Sequence, residues 1–125
     1  MKELKMYRKI SYAQCGEDLI IDFLLTDLMV STGFYLDIGS HHPVMGNNTF
    51  LLESSGFSGI CIEPNERFNK NYKRFRPKSN LVNSCFMEEA GIIDFYITNP
   101  DTLSTTNFKE VQELLVRDLK IFTLA

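Results

Sequence analysis

Gly33-Phe34-Tyr35-Leu36-Asp37-Ile38-Gly39-Ser40 and, further along, Gly59-Ile60-Cys61-Ile62-Glu63-Pro64-Asn65 are the stretches that decide the fold. Each is a short apolar run closed by a glycine or an acid and then a turn signal, the pattern of a strand buried in a sheet. Between them, residues 47–55 read as a helix, with Asn47 or Asn48 as its cap and Gly56 as its C-terminal glycine. A strand, a helix and a second strand in this order form a βαβ unit. Its crossover is right-handed and its strands run parallel.

The same reading extends in both directions. Upstream, Ser11-Tyr12-Ala13-Gln14 fits a capping box, and Leu19, Ile20, Phe23, Leu24 and Leu28 recur at helical spacing. This predicts a helix over residues 12–30, stopped by Ser31-Thr32-Gly33. Downstream, Asn65 caps a helix over 66–75 that Pro77 ends. Residues 80–86 and 92–98 read as strands, 99–106 as a polar loop, 108–116 as a helix and 119–124 as one more strand. The alternation predicts an α/β fold, a mostly parallel sheet with flanking helices.

The chain has 125 residues, 44% of them hydrophobic and 10 of them Phe, which is ample for a packed core and excludes a disordered chain. The net charge of -3 and a pI near 5.3 argue against a general polyanion binder, so no nucleic-acid partner is expected. Lys70, Lys73, Arg74, Arg76 and Lys78 form one basic run, read as the solvated face of a helix. Cys15, Cys61 and Cys85 show no paired spacing and no CxxC, so they are expected to be reduced, buried or half-buried, and no metal site is expected. No apolar run reaches the roughly 18 residues a membrane span needs. The first ten residues carry four basic side chains but no apolar stretch follows them, so no signal peptide is expected and the cytoplasm is the default location.

In a parallel sheet, ligands bind in the crevice at the carboxyl ends of the strands. Asp37 and Gly39 stand at that end of the first strand and Glu63 at that end of the second. Gly39 lets a ligand approach the backbone, where the amides around Ser40 to His42 are expected to donate to it. A carboxylate at Glu63 offers two oxygens, which suits the vicinal diol of a ribose. The dinucleotide fingerprint G-x-G-x-x-G is incomplete, since Gly39-Ser40-His41-His42-Pro43 lacks the second and third glycines, and no P-loop occurs. Both observations disfavour NAD and leave a nucleoside cofactor without a diphosphate, such as S-adenosylmethionine.

At these residues the chain resembles the FkbM family of methyltransferases. Three blocks carry the resemblance, in the family's order: Ser11-Tyr12-Ala13-Gln14-Cys15-Gly16-Glu17-Asp18; Gly33-Phe34-Tyr35-Leu36-Asp37-Ile38-Gly39-Ser40-His41-His42-Pro43, followed by Asn48-Thr49; and Gly56-Phe57-Ser58-Gly59-Ile60-Cys61-Ile62-Glu63-Pro64-Asn65. The region they span covers roughly half the chain. In the first block Ala13 stands where the family has a serine.

The resemblance implies a class I, Rossmann-like methyltransferase fold that binds S-adenosyl-L-methionine. Asp37, Gly39 and Ser40, with His41 in the same turn, would line the methionine and ribose end. Glu63 would hold the ribose diol, and Gln14 and Asn48 or Thr49 would add contacts. The adenine would lie near residues 84–86. The reaction it implies is methyl transfer to a hydroxyl of a small-molecule or carbohydrate acceptor. No catalytic base is assigned, because the position of His41 and His42 in the turn suits cofactor contact or turn shape better than proton transfer.

The family's downstream Asp-x-Glu-Gly motif has no counterpart here. The expectation is therefore a single incomplete domain over residues 1–125, with a first helical segment at 11–32, a cofactor-binding core at 33–98 and a C-terminal segment at 99–125. Such a piece is expected to self-associate or to be complemented by a C-terminal half. Two other readings remain open: a non-catalytic nucleoside-binding or scaffolding fragment, and the disfavoured nicotinamide enzyme.

Overall fold

The structure, a computed structural model, describes residues 8–116 and 120–124, with side chains through residue 115. The chain divides into two compact units, Met1–Ser84 and Cys85–Ala125. The boundary falls inside the segment 33–98 that the sequence groups as one core.

In the first unit, β1 (Phe34–Ile38), β2 (Ser58–Ile62) and β3 (Ser79–Val82) form a parallel sheet in the order β1-β2-β3. The register sets Tyr35 beside Gly59 and Asp37 beside Cys61. Because the strands advance in one direction, right-handed crossovers place α2 (Phe50–Ser54) and α3 (Asn69–Phe75) on a single face. There Tyr35, Leu52, Phe57, Cys61, Phe68 and Tyr72 make the core, and Ile21 and Leu25 of α1 (Glu17–Asp27) pack against it together with Leu81. Burying each of the larger of these side chains contributes about 1.5–3 kcal/mol. The opposite face presents Phe34, Leu36, Ile38 and Val82 to solvent. Gly59 has no Cβ because one would overlap the Tyr35 ring beside it.

Several elements begin or end away from where the sequence predicts. The helix expected over 12–30 is only Glu17–Asp27, and the expected capping box does not form. A buried carboxylate wins that competition. Asp18, 1% exposed, accepts from the Ser11 hydroxyl at 2.6 Å and from the backbone N–H groups of Tyr12 at 2.7 Å and Leu19 at 2.9 Å. Gly16, at φ 87°, stands at the helix start instead of Ser11. The helix expected over 47–55 starts at Phe50, because Asn47 Oδ1 accepts from the amides of Thr49 and Phe50 and holds the preceding residues in a turn. The segment 66–75 opens with a 3-10 turn at Glu66–Phe68, and Asn65 caps it as expected by accepting from the Arg67 amide. The third strand is shorter than 80–86. It ends at Val82, after which the Asn83 side chain donates to the Glu63 carbonyl and to Asn69 Oδ1.

The second unit is an antiparallel pair rather than a continuation of the parallel sheet. β4 (Phe95–Asn99) pairs with β5 (Lys120–Leu124) from Phe95↔Leu124 to Asn99↔Lys120. The strand expected over 92–98 begins only at Phe95, and a strand's sequence pattern says nothing about its partner or direction. The expected loop 99–106 contains a 3-10 turn at Asp101–Leu103, and Thr105 bridges back to Tyr96. α4 (Phe108–Val116) forms as predicted, with Asn107 Oδ1 accepting from the Lys109 amide at its start. Ile97, Thr98 and Val111 are buried. Residue 119, the first of the expected last strand, lies outside the described residues.

Two surface expectations are also corrected. Of the basic run, Lys70, Lys73, Arg74 and Lys78 are exposed, but Arg76 is 1% exposed. It follows the last turn of α3, where the chain turns inward ahead of Pro77. All three cysteines are reduced, with Cys61 buried and Cys85 half-buried, but Cys15 is exposed. Among the described residues, no helix is long and apolar enough to cross a membrane.

Candidate functional site

Past the end of β1 the chain bends over the end of β2. The amides of Gly39 and Ser40 both donate to the Ile62 carbonyl, at 2.9 and 3.1 Å. The next amide, that of His41, donates to Glu63 Oε2 at 2.8 Å. Gly39 lies at φ 71° and His41 at φ 51°, and this left-handed region is what turns the chain so sharply. A Cβ built on Gly39 would meet nothing within 4 Å, so the space over the bend is open.

Glu63 is 5% exposed, and its other oxygen accepts from the Asn65 amide at 2.8 Å. Two backbone donors therefore fix this carboxylate, one from each side of the strand end. A carboxylate has about four lone-pair sites, of which these two amides take one each. The expectation that the amides after Gly39 are free to donate is corrected: those of Ser40 and His41 are spent on Ile62 and Glu63, because the bend closes directly onto the neighbouring strand.

The other predicted residues divide between this strand end and its surroundings. Asp37 is half-buried, and the Thr49 hydroxyl donates to its Oδ2 at 2.6 Å. Ser40 is buried, and its Oγ accepts from the Tyr72 hydroxyl at 2.7 Å. The His41 ring packs edge-on to Phe68, with centroids 4.7 Å apart. His42 Nδ1 accepts from the amides of Val44 and Met45, so this ring shapes the following loop. Gln14 is exposed and stands next to Gly46 in that loop, and Asn48 is exposed. The structure thus gathers Asp37, Gly39, Ser40, His41, Thr49 and Glu63 at one sheet end, with Gln14 and Asn48 at its margin. Cys85 and Phe86, near which the adenine was expected, belong to the second unit.

Behind the site lies a buried network that the sequence did not reveal. The Arg76 guanidinium donates from Nε to Glu53 Oε2 at 2.7 Å, from one terminal nitrogen to Pro43 O and Asn47 Oδ1, and from the other to the Tyr35 and Thr49 hydroxyls. Glu53 also accepts from the Lys78 amide at 2.9 Å and from the Ser79 hydroxyl. Burial alone would raise the Glu53 pKa, but the bonds from Ser79, Arg76 and Lys78 hold it below its ordinary value. Burial alone would lower the Arg76 pKa, and its bonds to Glu53 and Tyr35 raise it instead. Both groups therefore stay charged. Among the described residues, no buried side-chain nitrogen or oxygen lacks a partner. No local signal marks this network, because its members come from three separated stretches of chain, at 35, 43–53 and 76–79.

A cavity of about 290 Å³ opens at the other end of the sheet, where Leu25, Val30, Leu52 and Phe57 meet Asp22 and Ser55. None of the predicted site residues lines it.

This arrangement defines a class of domain: a parallel α/β sheet in which a glycine bend and a buried acid stand side by side at the carboxyl ends of adjacent strands. Comparison with family models, with curated proteins and with solved structures returns no match.

Proposed function

We propose that this chain is the cofactor-binding part of an S-adenosylmethionine-dependent methyltransferase of the FkbM type, acting on a hydroxyl of a small molecule or glycan. The observation that carries the reading is the bond from the His41 amide to Glu63 Oε2 at 2.8 Å, which joins the glycine bend to the strand-end acid. One nucleoside can then meet both.

Two properties of the residues fit this cofactor. The space over Gly39 is open, so a ligand can lie against the backbone there. The side chains gathered at the strand ends include two carboxylates, Asp37 and Glu63, with the nearest buried cation, Arg76, already paired to Glu53. Such a site favours a cationic or neutral ligand and repels a diphosphate. Asp37, Gly39 and Ser40 would face the methionine and ribose end, and Glu63 the ribose diol.

Bound there, S-adenosylmethionine supplies an electrophilic methyl group on a positively charged sulfur. The chain's own contribution is orientation and exclusion of water. Glu63 is held by two amides and so is pre-set for a diol without rearrangement. Neither histidine is assigned as a base: His41 packs on Phe68, and His42 Nδ1 is engaged by its own loop.

Calorimetric titration with S-adenosylhomocysteine tests the ribose contact. Glu63→Gln keeps an acceptor for only one of the two backbone amides and loses the charge and half the acceptor capacity, and should bind about tenfold more weakly than the unsubstituted chain. Equal affinity would remove Glu63 from the ribose. If neither S-adenosylhomocysteine nor NAD binds, the non-catalytic fragment is the better reading.

A further inference from the structure

We infer that Thr49 is a positioning residue, which transmits the buried Arg76 guanidinium to Asp37 and so fixes the strand-end carboxylate for the cofactor; this deepens the methyl-donor reading and rests on it. The sequence places Thr49 among the direct cofactor contacts, but the bonding of its hydroxyl assigns it another role.

A hydroxyl has one proton and two lone pairs. The Thr49 Oγ1 atom lies 2.6 Å from Asp37 Oδ2 and 3.2 Å from Asn47 Oδ1. The proton goes to the carboxylate, since that contact is shorter and charge-assisted. One lone pair accepts from the Arg76 terminal nitrogen at 2.9 Å. The hydroxyl is thus engaged on both sides by charged groups, with no proton left to offer a ligand.

The guanidinium is itself bonded on every side. It is planar, its side chain is buried, and every N–H has an acceptor in Glu53, Pro43, Asn47, Tyr35 or Thr49. Its second arm reaches the bend, because Asn47 accepts from Arg76 at 3.0 Å through Oδ1 and donates to the Ser40 carbonyl at 2.9 Å through Nδ2. One buried cation therefore sets both halves of the site. Thr49 carries the arm to Asp37, and Asn47 the arm to Ser40. A carboxylate fixed in this way loses less freedom when a ligand arrives, which is how preorganisation raises affinity.

The test is calorimetric titration of the full chain with S-adenosylhomocysteine, with urea unfolding measured in parallel. Thr49→Val keeps the shape and deletes the hydroxyl, and is expected to weaken binding about tenfold, while Thr49→Ser restores it to within about twofold. In an Asp37→Asn background, adding Thr49→Val should change affinity by less than about twofold, because the relay then has no carboxylate to hold. Should Thr49→Val not fold, Thr49→Ala is titrated in its place, with the same expectations. Unchanged affinity in Thr49→Val, failure of Thr49→Ser to rescue, or full additivity with Asp37→Asn would each overturn the relay alone. Absence of binding by the unsubstituted chain would overturn the methyl-donor reading, and the relay with it.

Discussion

Arg76 Nε donates to Glu53 Oε2 at 2.7 Å with both side chains withdrawn from solvent, and this one pair ties α2 to the turn that follows α3. Removing one partner strands the other charge in the interior. Arg76→Met or Glu53→Gln should each cost about 3–5 kcal/mol in urea unfolding. The double replacement Arg76→Met with Glu53→Leu should recover part of that loss, because no buried charge then remains unpaired. Singles that unfold at the same urea concentration as the parent would show that the pair contributes nothing.

The carboxylates of Glu53 and Asp18 make stability depend on acid. Burial alone would raise both pKa values. It is outweighed at Glu53 by Ser79, Arg76 and the Lys78 amide, and at Asp18 by the Ser11 hydroxyl and the Tyr12 and Leu19 amides. Both therefore sit below their ordinary values of 4.5 and 3.8 when folded. The unfolded chain then binds protons more readily than the folded one. The stabilisation is complete above the ordinary values and is lost as pH falls through the lowered ones. The urea midpoint should stay level from about pH 7 to 5 and drop below about pH 4.5. Asp18→Asn should flatten part of that drop, and a midpoint that rises on acidification would contradict the assignment.

Two glycines respond differently to alanine. At Gly39 a Cβ has room, but φ 71° costs an L-residue about 1–2 kcal/mol, and the new methyl projects into the space over the bend. Gly39→Ala should therefore fold, with a modestly lower melting temperature, and lose affinity for S-adenosylhomocysteine. At Gly59 the methyl would overlap the Tyr35 ring and backbone, so Gly59→Ala should lose more stability than Gly39→Ala. Circular dichroism melts of the two variants check the order.

Tyr72 and Tyr35 should ionise late. Burial raises both above the ordinary tyrosine value of 10.0, against the opposing bonds of Tyr72 to Ser40 and of Tyr35 to Ser79 and Arg76. In an alkaline titration followed by tyrosinate absorbance, Tyr72→Phe should remove amplitude from the last phase to appear. It should also cost about 1 kcal/mol of stability, since Ser40 Oγ loses its donor. Loss of amplitude from an early phase instead would place Tyr72 in water.

The strands and their order along the chain were legible because β1 and β2 are short apolar runs closed by Gly39 and Glu63, but β1 is not the buried strand its sequence suggests: Tyr35 is buried while Phe34, Leu36 and Ile38 are exposed on the uncovered face. The junction of those two residues was legible for the same reason, since adjacent parallel strands end side by side. The start of α1 was not, because the acceptor that displaces the capping box is Asp18, which reads in sequence as an ordinary first-turn acid. Arg76 was misread as solvated because it sits in a basic run, and its partner Glu53 lies on another helix. The antiparallel pairing of β4 with β5 was equally hidden, since a strand's own sequence does not name its neighbour.

The most direct test of the central claim is the amide NMR spectrum of the full chain during titration with S-adenosylhomocysteine, and separately with NAD. The account predicts saturable shifts at Gly39, Ser40, His41, Glu63 and Asn65 with the first ligand and none with the second. Shifts confined to the residues around Leu25, Val30 and Phe57, or no shifts with S-adenosylhomocysteine at all, would contradict it.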